Sequence, residues 1–120
     1  MELTRLLADM NERGGFSIAV LTDRHGLPIA FAAAPNQDPD TQAAVVAMIQ
    51  RTVTEAGHQL GMAQADEISL FDNQGRRLVC RPFSANGHNL MLAILVEDRN
   101  QSYRRLTNKA VNAIRQQWQF

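Results

Sequence analysis

Apolar residues change their spacing several times along the chain, and each change marks an element. Leu3, Leu6, Leu7 and Met10 recur at i, i+3, i+4 and i+7, the stripe of an amphipathic helix, and Gly14-Gly15 ends it. Residues 16–22, Phe-Ser-Ile-Ala-Val-Leu-Thr, then form a short β-branched apolar run. Asp23-Arg24-His25-Gly26 supplies a turn, with Gly26 offering the positive φ a hairpin loop needs. A second strand follows from Pro28 to Ala32; Pro28 donates no backbone hydrogen bond, which places that strand's start there or the strand itself at a sheet edge.

Asp38-Pro39-Asp40 reads as a helix start, with Asp38 as cap, Pro39 in the first turn and Asp40 at the positive end of the dipole. This helix is predicted to run to about Gly61. Its apolar positions Ala44, Val45, Met48, Ile49, Thr52, Val53, Ala56 and Leu60 cover two adjoining stripes, more than one sheet contact requires. Such a face on a long helix predicts contact with something beyond its own sheet. Three strands are predicted next. In residues 67–71, Ile68 and Leu70 point one way and Ser69 the other. In residues 76–83, Leu78 and Cys80 share one face, Val79 and Phe83 the other. Residues 88–96 are apolar on both faces and so central. Asn100 or Ser102 is expected to cap a last helix carrying Tyr103, Leu106, Ala110, Ile114 and Trp118. Short turns between adjacent strands imply a mostly antiparallel sheet with helices on both faces.

A length of 120 residues, 45% hydrophobic and 20% charged, is expected of a single globular domain over residues 1–120. Twelve basic and twelve acidic residues cancel, so no global field draws the chain to nucleic acid or an anionic membrane. No signal peptide is read in Met1-Glu2-Leu3-Thr4-Arg5, and the longest apolar run, residues 90–96, is far short of a membrane span. A cytoplasmic location is the expectation, with no membrane insertion and no nucleic-acid partner.

Candidate chemistry is sparse. One cysteine, Cys80, excludes an intramolecular disulfide, and on its strand it reads as a small buried hydrophobe or, lacking an activating base, a poor nucleophile. His25, His58 and His88 have no partner at metal-ligand spacing. The pairs Asp66-Glu67 and Glu97-Asp98 suggest acid–base dyads, but adjacent strand residues point apart and solvated strand ends are expected. No phosphate-binding glycine loop occurs. No catalytic residue, cofactor or metal is expected, and the chain is not expected to be an enzyme. One asymmetry remains. Residues 99–120 carry Arg99, Arg104, Arg105, Lys109 and Arg115 and no acid, either a solvated helix face or a patch for an acidic protein surface, RNA or lipid.

The ordered features resemble the roadblock (dynein light chain) family. They are the hairpin from Gly15-Phe16 through Val20-Leu21-Thr22-Asp23-Arg24-His25-Gly26 to Leu27-Pro28-Ile29-Ala30, the long alanine-rich helix after its Pro/Asp start, and the turn at Gly75. The strand over residues 78–83 with Pro82, the apolar strand over 90–96 and Asn100 complete the set. The family often has a glycine soon after that asparagine, where Gln101-Ser102-Tyr103 stands here. The resemblance implies an α+β fold of order α-β-β-α-β-β-β-α, a five-stranded antiparallel sheet with the long helix on one face and the two terminal helices on the other. It implies a homodimer that pairs the third strand and long helix with their copies, with Val45, Ile49, Val53, Ile68 and Leu70 at or under the seam. It also implies a non-enzymatic regulatory scaffold that binds and modulates a Ras-like small GTPase, with Arg51 as the outward cation for partner contact. The alternative expectation is a small-molecule-sensing module with an internal ligand cavity, which the density of Val, Ile, Leu and Ala disfavours.

Overall fold

A computed structural model describes residues 3–118, apart from the Pro39 side chain; Met1, Glu2, Gln119 and Phe120, including the start of the N-terminal segment read above, lie outside it. The elements are α1 (Leu3–Gly14), β1 (Ile18–Asp23), β2 (Pro28–Ala33), α2 (Pro39–Leu60), β3 (Ile68–Phe71), β4 (Arg77–Ala85), β5 (His88–Val96) and α3 (Arg104–Gln117). The strands form one antiparallel sheet in the order β2-β1-β5-β4-β3. The element order and the antiparallel sheet are those expected. The hairpin β1–β2 therefore sits at one edge and β3 at the other, and α2 carries the chain between them.

Sequence chemistry accounts for the boundaries of α2. The Asp38 carboxylate accepts from the backbone N–H groups of Asp40 and Thr41 at 3.1 and 3.4 Å and from the Thr41 hydroxyl at 2.7 Å. The Thr41 hydroxyl, then the Thr41 and Asp40 amides, hold the Asp38 carboxyl below its ordinary pKa despite an opposing desolvation effect. At the other end Gly61 adopts φ +69°, and the Met62 amide reaches back to the Gly57 carbonyl at 2.8 Å, a left-handed glycine stop. In the β1–β2 turn Asp23 Oδ1 accepts from the amides of His25 and Leu27, and Gly26 takes φ +84° against Ala43 and Ala47 of α2. A side chain at Gly26 would run into Ala47, so the turn needs glycine for both its conformation and its fit.

Two cores result. On one face of the sheet, Leu6, Leu7 and Met10 of α1 and Ala110, Val111 and Ile114 of α3 cover Leu21, Val79, Leu92 and Ile94. On the other face α2 sets Ala43 over Ile18 and Val20, and Val46 over Cys80, Met91 and Ala93. The long helix on one face and the two terminal helices on the other is the arrangement the resemblance implied. Strand β5 is central and its residues from Leu90 to Val96 are buried except for a partly exposed Leu95. The split of β4 also holds, Leu78 and Cys80 facing α2 and Val79 and Phe83 facing α1 and α3. Pro82 lies beyond the stretch of β4 that β3 pairs with, Arg77 to Cys80, where a missing N–H costs no ladder bond on that side.

Two expectations need correction. Neither Asn100 nor Ser102 caps α3: the helix starts after Tyr103, which makes no side-chain cap. The Asp98 carboxylate instead takes the Asn100 amide at 3.0 Å, and the Asp98 carbonyl takes the Gln101 amide, so this turn is built from the residue before it. Glu67 is not a solvated strand end. Its Oε2 accepts from the Tyr103 hydroxyl at 2.7 Å, and its Oε1 lies 3.5 Å from Arg104 and 3.9 Å from Arg81. Oε1 accepts no hydrogen bond, so those two contacts are Coulombic, while Arg104 Nη2 donates to Oε2 at 3.5 Å. Arg81 is itself held by Thr107 at 2.9 Å and by Asn108, tying β4 to α3.

Candidate functional site

A helix turning about 100° per residue cannot bury all of the apolar surface on α2 against one sheet. Ala43, Val46 and Ala47 are buried and define its inner side. Relative to them, Val45, Ile49 and Val53 fall on the flank beyond Val46, toward β4 and β3. Arg51 falls on the other flank, beyond Ala47, which packs on the β1–β2 turn. Val45 is 38% exposed and Met48, on the outer side, 55%. Ile49 and Val53 are half-buried.

The β3 edge continues this flank. Ile68 packs against the Val46–Cys80–Met91 cluster, and Val53 and Ile68 line one crevice of about 30 Å³. Leu70, opposite Leu78 in the ladder, shares the face of Ile68 and is 59% exposed. The structure thus gathers Val45, Ile49, Val53, Ile68 and Leu70 along one side of the molecule. They form an apolar border running from the helix flank to a strand that has no neighbour beyond it. Arg51 stands apart from that border, exposed and without a hydrogen bond or ion pair to any described residue.

Sequence reasoning missed a second exposed apolar set, Leu27, Ile29 and Phe31 on β2 and its turn. Strand alternation puts Ile29 and Phe31 on the α2 face, and the signal available was Pro28, which marked this as an edge strand. Leu60 and Met62, at the far end of α2, are also exposed.

Groups with chemical potential are separated or occupied. Cys80 is buried against Val46 and Met91, and burial pushes its thiol up to about 12, which removes the thiolate a nucleophile needs. Glu97 pairs with Arg76 at 3.2 Å and accepts from Ser17, while Asp98 serves its turn, so the two form no dyad. Among the described residues no group of three or more His, Cys, Asp or Glu could hold a metal ion. No helix of the described residues is long and apolar enough to cross a membrane. A cleft of about 430 Å³ lies between the C-terminal half of α2 and the ends of β4 and β5. Of the side chains that supply polar groups to it, Arg24, Thr54, His58, Gln64 and Asn89 are exposed and Gln50 is half-buried. It offers no buried polar constellation of the kind that orients a small ligand.

A five-stranded antiparallel sheet between one long helix and two terminal helices, with an apolar border at the β3 edge, defines a class of small α+β domain. The chain has a roadblock-like fold. Solved structures similar to it include MglB of Myxococcus xanthus, at a TM-score of 0.80 and 14% identity over 97% of this chain and 94% of that one. A roadblock/LC7 domain from Streptomyces avermitilis matches at a TM-score of 0.80 and 19% identity over 98% of each chain. The gliding protein MglB from Thermus thermophilus matches at 0.77 and 21% identity, over 95% of this chain and 86% of that one. No protein-family model matches the sequence, and no curated protein does.

Proposed function

We propose that this chain is a non-enzymatic, homodimeric scaffold that binds and modulates a Ras-like small GTPase in the cytoplasm. The observation that carries the reading is the apolar border of Val45, Ile49, Val53, Ile68 and Leu70, continuous with an unpaired strand edge, in a molecule of roadblock-like fold. Pairing β3 with its copy satisfies the open backbone edge and covers Leu70, while the α2 flanks meet across the two-fold axis.

The GTPase engages the exposed α2 surface of the dimer, including the flank beyond Ala47 where Arg51 is available. A scaffold without a catalytic group can still change a GTPase cycle by fixing the mobile loops that position water and Mg²⁺ around the γ-phosphate. The test is single-turnover GTP hydrolysis and release of labelled GDP by each small GTPase encoded in the same genome, with and without this chain. One of the two rates should change at least fivefold for one GTPase, and Arg51→Ala should reduce the effect. No change in either rate with any of them would overturn the regulatory reading.

A further inference from the structure

The basic α3 helix lies on the sheet face opposite α2. Residues 104–117 carry Arg104, Arg105, Lys109 and Arg115 and no acidic residue. Two of these cations are engaged: Arg104 faces Glu67, and Arg115 donates to the Ser84 carbonyl at 3.0 Å and stands over the Phe83 ring. Arg105 and Lys109 make no hydrogen bond or ion pair with any described residue, and neither does Arg13 on α1.

Arg13 and Lys109 face one groove, of about 180 Å³, between α1 and α3. Its floor is Leu6, Met10 and Ala110, and its sides include Leu106 and Ala113. Asp9 is the one acidic lining residue. The groove lies on the sheet face opposite α2, so a pairing through β3 and the α2 flank leaves it open. We propose that it docks an acidic amphipathic helix of a partner protein, whose apolar anchors sit over Leu6, Met10 and Ala110 and whose carboxylates meet Arg13, Lys109 and Arg105.

The chemistry of the groove selects this occupant. It is smaller than the ~300–1,000 Å³ of a metabolite pocket and has no buried polar group to orient one. An RNA strand needs exposed aromatic platforms, and Tyr103, the aromatic beside these cations, is 7% exposed. A membrane needs apolar side chains that project, whereas Leu6 and Met10 are recessed at 8% and 5% exposure. A helix laid into a groove supplies the projecting side chains itself, at i, i+3 or i+4. Unpaired cations along the rim then favour carboxylates beside those anchors, and Asp9 disfavours one at its own position.

The test uses fluorescein-labelled helical peptides of about 18 residues, each with a Leu, Ile or Phe stripe, in an acidic version flanked by Glu and a basic twin flanked by Lys. Anisotropy at low salt should show the best acidic peptide binding at least tenfold tighter than its twin, weakening as salt rises. The double variant R13E/K109E alters exposed charges only and should invert the preference with an unchanged melting curve. Ala113→Met, which narrows the groove without changing charge, should weaken the acidic peptide at least fivefold. Three results would each overturn the proposal: equal binding of the twins, or none by either; acidic binding indifferent to these variants; and tighter binding of phosphatidylserine vesicles or oligo-uridine RNA that R13E/K109E abolishes. The outcome does not depend on the GTPase reading, which concerns the opposite face.

Discussion

Replacing Leu70 by serine isolates the β3 edge as an interface. In the isolated chain Leu70 is already 59% exposed, so its removal takes little from the monomer beyond its cross-strand contact with Leu78, about 0.5 kcal/mol. Serine keeps the β3–β4 ladder intact. In a β3-paired dimer the exposed part becomes covered. Full burial of a leucine is worth roughly 1.5–3 kcal/mol, so covering this fraction contributes about 1–2 kcal/mol per protomer. Both copies carry the substitution, which makes the loss about 2–4 kcal/mol per dimer. At about 1.4 kcal/mol per tenfold, the dimer dissociation constant should rise by roughly 30-fold to several hundredfold. Sedimentation equilibrium across a dilution series reads this directly, while circular-dichroism melting checks that the monomer fold is kept. A Leu70→Ser dimer constant within threefold of the parent's would refute the assignment of β3 to the seam.

Gly26→Ala combines a positive-φ penalty with a clash against Ala47 and should cost about 2–4 kcal/mol, lowering Tm by about 10 °C; a shift under about 2 °C would contradict the packing described for this turn. Tyr103→Phe removes the hydroxyl that donates to Glu67 and should cost about 1–2 kcal/mol in urea unfolding, because the carboxylate stays mostly buried. Cys80 should react with a disulfide reagent at pH 8 far more slowly than a free thiol. Its folded pKa is raised from 9.0 to about 12, so the folded state holds a proton that the unfolded chain loses in that window. The thiol's contribution to stability is thus complete below about pH 9 and declines as the pH rises toward 12, which denaturation at several alkaline pH values will show.

Local chemistry was legible where a residue and its target lie within a few positions. Asp38 and Gly61 bound α2 as their types suggest, and Gly26 occupies the tight turn its neighbours implied. The faces of β4 followed from alternation alone. The apolar excess on α2 was visible in its spacing, and the fold leaves Val45 and Met48 exposed and sets Val53 beside Ile68. Sequence reasoning failed where partners are distant. Glu67 is joined to Tyr103 and Arg104 across 36 and 37 positions, and no local pattern distinguishes it from a solvated strand end. The start of α3 differs from the expected one because Asp98 serves the turn that Asn100 or Ser102 would otherwise cap. The β2 patch escaped notice because exposure of Phe31 depends on strand order, which places β2 at an edge and α2 to one side of it. The groove between α1 and α3 needs both ends of the chain together, so the basic run could be seen in the sequence but not what it borders.

The central claim is that a symmetric pair of these chains engages a GTPase. It is tested most directly by light scattering on the chain mixed with the candidate GTPase, loaded in turn with GDP and with a non-hydrolysable GTP analogue. The expected result is a chain that alone has twice the mass of 13.4 kDa and gains the mass of the GTPase in one nucleotide state. A chain that stays monomeric, or a dimer that takes up the GTPase in neither state, would contradict it.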